Sequence, residues 1–293
     1  MGLELRHLQA LIAVSEEGSI SRAARRLHVG QPALSRSIAQ LEREIGARLF
    51  DRTSAGATLT TTGEAYLVRA SRAISAFDLA VQPPESVGTV IVGYVWSALG
   101  SLTNTVFETW NATKPQEQLM LKRFASRTSG VESGEADLGI VRQGIASVSF
   151  SSSLFGEARV VALSQRHRLA DRPELALSDL SDDIIVLDIM SGTTTMDLWP
   201  AHTRPFSRPI ECGSVDEWNH HVSLGHGIGI TAESTPHMHP YPGIVYVPMK
   251  ATTPRIEVFC IWDSPHLTPV ATEFCAMVRT VHKHQLTSKS EPS

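Results

Sequence analysis

Three cysteines in 293 residues are too few and too widely spaced for a disulfide framework. Cys212, Cys260 and Cys275 read instead as reduced thiols of a cytoplasmic protein. Long apolar runs are also missing, and none approaches the roughly 20 residues of a membrane helix. Glu4, Arg6 and His7 break up the start of the chain, so no signal-peptide core is expected there. No His-Glu-x-x-His motif, paired-cysteine metal spacing, Gly-x-Ser-x-Gly elbow or phosphate-cradling glycine loop occurs. Lysine is absent from residues 1–82, which hold ten Arg against eight Asp plus Glu, while the remainder carries a net charge of −6. Any contact with nucleic acid therefore belongs to the first part of the chain. With 42% hydrophobic and 19% charged residues, the chain has the composition of a globular protein with room for two or three domains.

The most informative stretch is residues 19–52, SISRAARRLHVGQPALSRSIAQLEREIGARLFDR, with seven Arg against three carboxylates. It reads as two short helices joined by a turn, the second opening on Gln31-Pro32, where a missing N–H is harmless. Leu34, Ile38, Leu41 and Ile45 then recur at steps of four, three and four and form one apolar stripe, which Gly46 ends. The other face offers Ser35, Arg36, Gln40 and Arg43, with Glu42 and Glu44 at its far end. A helix that buries one stripe and presents Gln, Ser and Arg at its N-terminal end suits reading of a DNA major groove.

Upstream, Leu5, Leu8, Leu11 and Ile12 mark a first helix that stops at Gly18, and Ser19 is placed to cap the second. Downstream, residues 49–52 and 57–60 read as two short strands of a wing around Ser54-Ala55-Gly56. This order over residues 3–66 resembles the LysR-type transcriptional regulators. The resemblance is carried by Leu8-Gln9, Ala13-Val14, Gly18-Ser19, Ala23-Ala24, Leu27, Gln31-Pro32-Ala33-Leu34-Ser35, Ile38, Leu41-Glu42, Gly46, Leu49-Phe50, Arg52, Leu59-Thr60 and Gly63. It implies that Ser19, Arg22, Gln31, Pro32, Ser35, Arg36, Gln40 and Arg52 face DNA, with Arg52 in the wing on phosphate or in the minor groove.

Thr61 and Glu64 fit a capping box that opens a linker helix. Leu67, Ala70, Ile74, Phe77 and Val81 follow at heptad steps, and Pro83-Pro84 ends them. Such a stripe marks a helix that pairs with another, and in the resembling family linker helices do pair the winged domains.

From Thr89 the pattern alternates. Strands are expected near Val90–Val95, Leu119–Leu121, Leu138–Val141, Val160–Leu163, Ile184–Leu187, Ile228–Ile230 and Val258–Ile261. Helices are expected near Leu102–Asn111, Val215–Leu224 and Val270–His284. This order argues for α/β lobes with parallel-dominated sheets. It also resembles the effector-binding region of the same family, through Gly134–Ile140, Arg166–Ala170, Leu177–Leu180, Gly225–Ile230 and Pro236. The implied fold is multidomain, α and α/β: a winged helix-turn-helix (1–60), a linker helix (61–84), a two-lobed effector domain built like a periplasmic binding protein (89–285), and a frayed tail (286–293). Lobe one would comprise 89–157 plus 264–285 and lobe two 158–263, with two crossings between them.

Ligands of open α/β sheets sit beyond the carboxyl ends of strands, near helix N-termini. The candidates there are Trp96, Ser97, Thr128, Arg142, Thr193 and Thr194, with Ser191, Ser214 and Thr231 as further ones. The stretch LMLKRFASRTSGVESGE is shorter than the family pattern, and either Ser126 or Thr128 fills its hydroxyl position. Hydroxyls with helix N-terminal amides suit a small anionic effector. A rival reading is a hydrolase using His220, His221, His226, His237 and His239, but no motif supports it and surface histidines account for them. A sheet-edge interaction protein is a third reading, against which the recognition helix argues. The sequence thus points to a cytoplasmic transcription regulator, not an enzyme, without cofactor or metal and without a membrane partner. Two or four copies would bind an interrupted dyad on double-stranded DNA, respond to an effector and contact RNA polymerase.

Overall fold

In a computed structural model the chain folds as two compact units, one built from Met1–Ser86 with Glu132–Glu135 and the other from Val87–Val131 and Ala136–Ser293. The structure describes residues 2–53, 56–81, 88–142, 147–200, 204–205 and 208–290. The expected turn residues Ser54 and Ala55, the Pro83-Pro84 stop and the side chain of Arg52 lie outside what is described.

The first unit begins with α1 (Leu5–Glu17), α2 (Ile20–Arg26) and α3 (Gln31–Ile45). Gly18 ends α1 in a left-handed conformation, φ 59°, which glycine adopts without steric penalty. Ser19 then caps α2, its Oγ accepting from the Arg22 N–H at 3.4 Å. Leu34, Ile38 and Leu41 of α3 are buried with Leu11, Val14, Ala23, Ala24, Leu49 and Phe50 in one core. That core is the physical reason for the apolar stripe. The wing follows as β1 (Phe50–Thr53) and β2 (Gly56–Leu59), paired antiparallel. Glu42 belongs to the scaffold, since its Oε1 accepts from the N–H groups of Leu49 and Phe50 at 2.9 and 3.3 Å.

The helix α4 spans Thr61–Ala80. Its cap is Thr60 rather than Thr61: the Thr60 Oγ1 accepts from the Gly63 N–H at 3.0 Å. The heptad stripe divides along the helix. Ala70 is buried in the unit's own core and Leu67 packs against it, whereas Phe77 and Val81 are 47% and 62% exposed.

The second unit holds two five-stranded sheets. In chain order its elements are β3 (Gly88–Tyr94), α5 (Thr103–Thr113), β4 (Glu117–Arg123), β5 (Leu138–Val141), β6 (Phe150–Glu157), β7 (Arg159–Ser164), β8 (Ile185–Asp188), β9 (Ile210–Cys212), α6 (Val215–Ser223), β10 (Ile228–Ala232), α7 (Thr235–Met238), β11 (Ile244–Pro248), β12 (Ile256–Trp262) and α8 (Thr268–Ser290). The first sheet runs β4-β3-β5-β12-β6 and the second β11-β7-β10-β8-β9. Helices α5 and α8 cover the first sheet, with Trp110 and Phe274 edge to face at 6.2 Å.

Three expectations need correction here. The boundary of lobe two at residue 263 is too late, because β12 pairs antiparallel with β5 and β6 and so belongs to the first lobe. The chain still passes between sheets twice, after β6 and between β11 and β12. The sheets are mixed rather than parallel-dominated: β12 in one and β7 in the other pair antiparallel with both of their neighbours. Finally, residues 286–290 continue α8 instead of fraying. Strands β6, β9 and β11 escape the sequence pattern. β6 reads FSSSLFGE and carries serine on its outer positions, and β9 is three residues long.

Candidate functional sites

The first site lies on the winged unit. Gly30 precedes α3 and Pro32 stands in its first turn, so the helix opens on Gln31, Pro32 and Ala33, all exposed. Arg36 is exposed one turn later, and Ser35 is half-buried beside it. Among the described residues, the side chains of Gln31, Ser35 and Arg36 make no hydrogen bond or ion pair within the chain. These groups are therefore available to an external partner.

Gln40 is not. His7 is buried, its Nδ1 accepting from the Glu4 N–H at 2.9 Å, and its Nε2 lies 3.2 Å from the Gln40 Oε1. The Gln40 amide in turn donates to the Gly2 carbonyl at 3.0 Å. With the proton on Nε2, all these bonds are satisfied at once, and Gln40 ties α3 to the start of α1. Its placement on the polar face of the stripe could not reveal that partner, because buried His7 lies 33 residues away.

Ser19 and Arg22 meet at the α1–α2 junction. Arg22 donates from Nε to the Glu17 carbonyl at 3.0 Å and lies 3.7 Å from the Glu17 carboxylate. Arg52 stands on β1 opposite Ala57, whose N–H donates to the Gly18 carbonyl at 3.0 Å. That bond fastens the wing to the end of α1.

The second site is the cleft between the two sheets of the second unit. The chain leaves β3 through Trp96, Ser97 and Ala98. Ser97 and Ala98 both have positive φ, 53° and 40°. Two consecutive non-glycine residues in this region store strain, which functional sites commonly hold. The Trp96 ring meets Trp218 edge to face at 5.6 Å and His239 at 5.3 Å. Trp218 lies directly on Gly229, where a Cβ would come within 1.9 Å of the indole, so only glycine fits beneath it. Its Nε1 donates to the Val186 carbonyl at 3.1 Å.

Trp96 lines two small pockets, each with a cavity volume of about 10 Å³. One is lined by Arg127, Arg142, Met190 and Ser191, and the other by Asp188, Thr193, Thr194, Trp218 and Thr231. The buried polar atoms Trp96 Nε1, Ser97 Oγ, Ser234 Oγ and His239 Nε2 have no partner within the protein. Such groups are costly to leave unbonded, and their presence around Trp96 favours a polar ligand. His239 is held below the ordinary 6.5, first by burial and then by the cations of Arg142 and Arg123, against the opposing Asp216.

The expected hydroxyls and cation differ in how free they are. Arg142 is buried against Glu157 and donates from Nη1 to the Trp96 carbonyl at 2.6 Å, so it supports the Trp96 loop. Thr194 donates to the Ile230 carbonyl at 2.8 Å and Thr193 to the Ser191 Oγ at 2.9 Å. Arg159 holds both threonines, its Nη1 donating to the Thr193 carbonyl at 2.7 Å. Burial lowers its pKa to about 10, which leaves it charged at neutral pH. Thr128 is buried with its Oγ1 3.0 Å from the Ser126 Oγ, so the two hydroxyls act as a pair. Arg127, Arg159, Trp218 and His239 were not legible as cleft residues, since their strands and loops converge only in the fold.

Two family models cover most of the chain. Residues 5–64 match the bacterial regulatory helix-turn-helix protein, lysR family, and residues 85–283 match the LysR substrate binding domain. The regulator AlsR of Bacillus subtilis is 29% identical over 68% of this chain and 66% of that protein. The regulator BenM of Acinetobacter baylyi is 28% identical over 84% of this chain and 86% of its own length. Among solved structures, full-length CbnR complexed with its target DNA aligns at a TM-score of 0.63 and 20% identity, covering 95% of this chain and all of CbnR. At that identity the likeness concerns the fold.

Proposed function

The chain belongs to the LysR family of bacterial helix-turn-helix regulators, and from that premise we propose how its two sites divide the work of a DNA-binding transcription regulator with an effector-binding domain. Gln31, Pro32, Ser35 and Arg36 read base edges in the major groove. Arg52 and the Ser19–Arg22 junction hold backbone phosphate. The exposed Phe77 and Val81 at the end of α4 pair with the same residues of a second copy. Two copies, or four, then bind an interrupted dyad whose half-sites lie about one helical turn or a multiple apart. CbnR, a protein of the same fold, has been solved with its target DNA.

A small anion occupies the cleft at Trp96 and Ser97, with Arg127 supplying charge. It shifts the population between arrangements of the two lobes and so the contact with promoter DNA and RNA polymerase. The protein works in the cytoplasm and catalyses no reaction of its own. No described helix is long and apolar enough to cross a membrane.

The observation that carries the DNA reading is the exposed, unpaired first turn of α3. The decisive experiment titrates labelled promoter fragments from beside the protein's own gene, over a range of salt, against a scrambled duplex. Tighter binding to one fragment is expected, with an affinity that falls as salt rises because bound phosphates release counterions. Equal affinity for all duplexes would refute the reading.

A further inference from the structure

At the end of β9 and on α6, the second lobe gathers a set of side chains that DNA reading and effector binding leave unused. Cys212, the last residue of β9, is buried. Glu217 and His221 stand four residues apart on α6, so they share one face of that helix. The Cys212 thiol, a Glu217 carboxylate oxygen and a His221 ring nitrogen all lie within 4.8 Å of one another. His226 stands beside them, its Nδ1 3.1 Å from that of His221.

We propose that Cys212, Glu217 and His221 bind a divalent transition-metal ion of the zinc type on the second lobe, with His226 as the fourth donor. A tetrahedral zinc with bonds of about 2.0–2.3 Å separates its ligand atoms by roughly 3.3–3.8 Å. The donor atoms of Cys212, Glu217 and His221 lie close to that spacing, exposed Glu217 and half-buried His221 can rotate to reach it, and His226 approaches from beside His221. One thiolate, two imidazoles and one carboxylate suit zinc or cobalt better than magnesium or calcium, which take oxygen donors. The local field also favours a cation. The Glu217 and Asp188 carboxylates both act on Cys212 and place negative charge beside it, which a cation would offset. One Glu217 oxygen already accepts from the Gly213 N–H at 3.0 Å, which orients the carboxylate.

The site would clamp the start of α6 to β9. Trp218 follows Glu217 directly and packs on Trp96, so metal binding should reach the indole environment. His220, the neighbouring residue on α6, instead faces Tyr241 at 5.8 Å and serves as a control.

The test uses full-length protein stripped with a chelator and titrated with zinc or cobalt alone. One tight site per chain is expected, with a change in tryptophan emission. Cobalt should produce the absorption band of a thiolate-to-metal charge transfer. His221→Asn and Glu217→Gln should each weaken zinc by more than the roughly 10–100-fold lost with an outer-shell partner. Cys212→Ser should abolish the cobalt band, and His220→Asn should leave affinity unchanged. Absence of zinc binding to the wild type would overturn the proposal. So would tight binding that survives His221→Asn and Glu217→Gln, or a cobalt band that survives Cys212→Ser.

Discussion

Arg142 and Glu157 form an ion pair inside the first lobe, Nη2 to Oε2 at 3.2 Å, with side chains only 4% and 7% exposed. Removing one partner of a buried pair strands the other charge, typically at about 3–5 kcal/mol. Arg142→Ala should therefore destabilise the second unit by an amount in that range, measured by urea unfolding. Replacing both residues by apolar ones of similar volume should recover much of the loss. A change below about 1 kcal/mol in Arg142→Ala would mean that water or another group reaches Glu157.

Ser97 is expected to contact the effector through a hydroxyl that has no partner within the protein. Ser97→Ala should weaken an anionic effector by about 1.5–3 kcal/mol, the usual worth of a hydrogen bond to a charged group. Operator binding without effector should be unchanged. Calorimetry on wild type and variant, once a thermal-shift screen has found a ligand, gives the comparison. Equal affinities would place the ligand away from Ser97.

His239 links stability to pH. Its folded pKa lies below the ordinary 6.5, so the folded chain takes up this proton less readily than the unfolded chain. The resulting stability is complete above the unfolded value and is lost as pH falls from there through the folded one. The urea midpoint should drop as pH falls below the ordinary 6.5 toward the folded value, and His239→Gln should lessen that drop. His282 is also lowered by burial, so part of the slope should persist in the variant. An unaltered slope in His239→Gln would assign the whole effect elsewhere.

Arg36 and Gln40 should separate in DNA binding although both lie on α3. Loss of a base contact in Arg36→Ala should weaken operator binding by about 1–3 kcal/mol while leaving stability intact. Gln40→Ala should lower stability instead, since it breaks the link from His7 to Gly2. Arg52→Ala, in the wing, should weaken all duplexes alike and flatten the salt dependence. Fluorescence anisotropy and thermal unfolding on the same preparations distinguish these outcomes.

Phe77→Asp tests the pairing of α4. The ring is 47% exposed in the single chain, so the substitution removes little from the folded unit. Across a helix pair, however, the new carboxylate would have to be desolvated against its symmetry mate. Sedimentation should show smaller assemblies and weaker operator binding. An unchanged assembly would place the interface outside α4.

The local pattern of the chain was enough to outline the winged unit. Gly18, Ser19, Pro32 and Gly46 are short-range signals, and the helix boundaries they set depend on backbone conformation within a few residues. The stripe from Leu34 to Ile45 likewise depends only on helical spacing. The alternation beyond Thr89 indicated α/β lobes for the same reason, since buried strands and amphipathic helices carry their periods locally. What the tertiary structure decided is everything set by contacts distant in sequence. β12 joins the first sheet because its hydrogen bonds go to β5 and β6, whose paired residues lie at least 99 positions earlier in the chain. Gln40 turns from a candidate reader into a strut because His7 is buried beside it. Arg142 matches an anion-binding residue in type and position, yet Glu157 takes its Nε and the Trp96 carbonyl its Nη1, and only Nη2 is left without a hydrogen bond. A residue's chemistry is written in its side chain, but which of its bonds are already used is settled only when the rest of the chain closes around it.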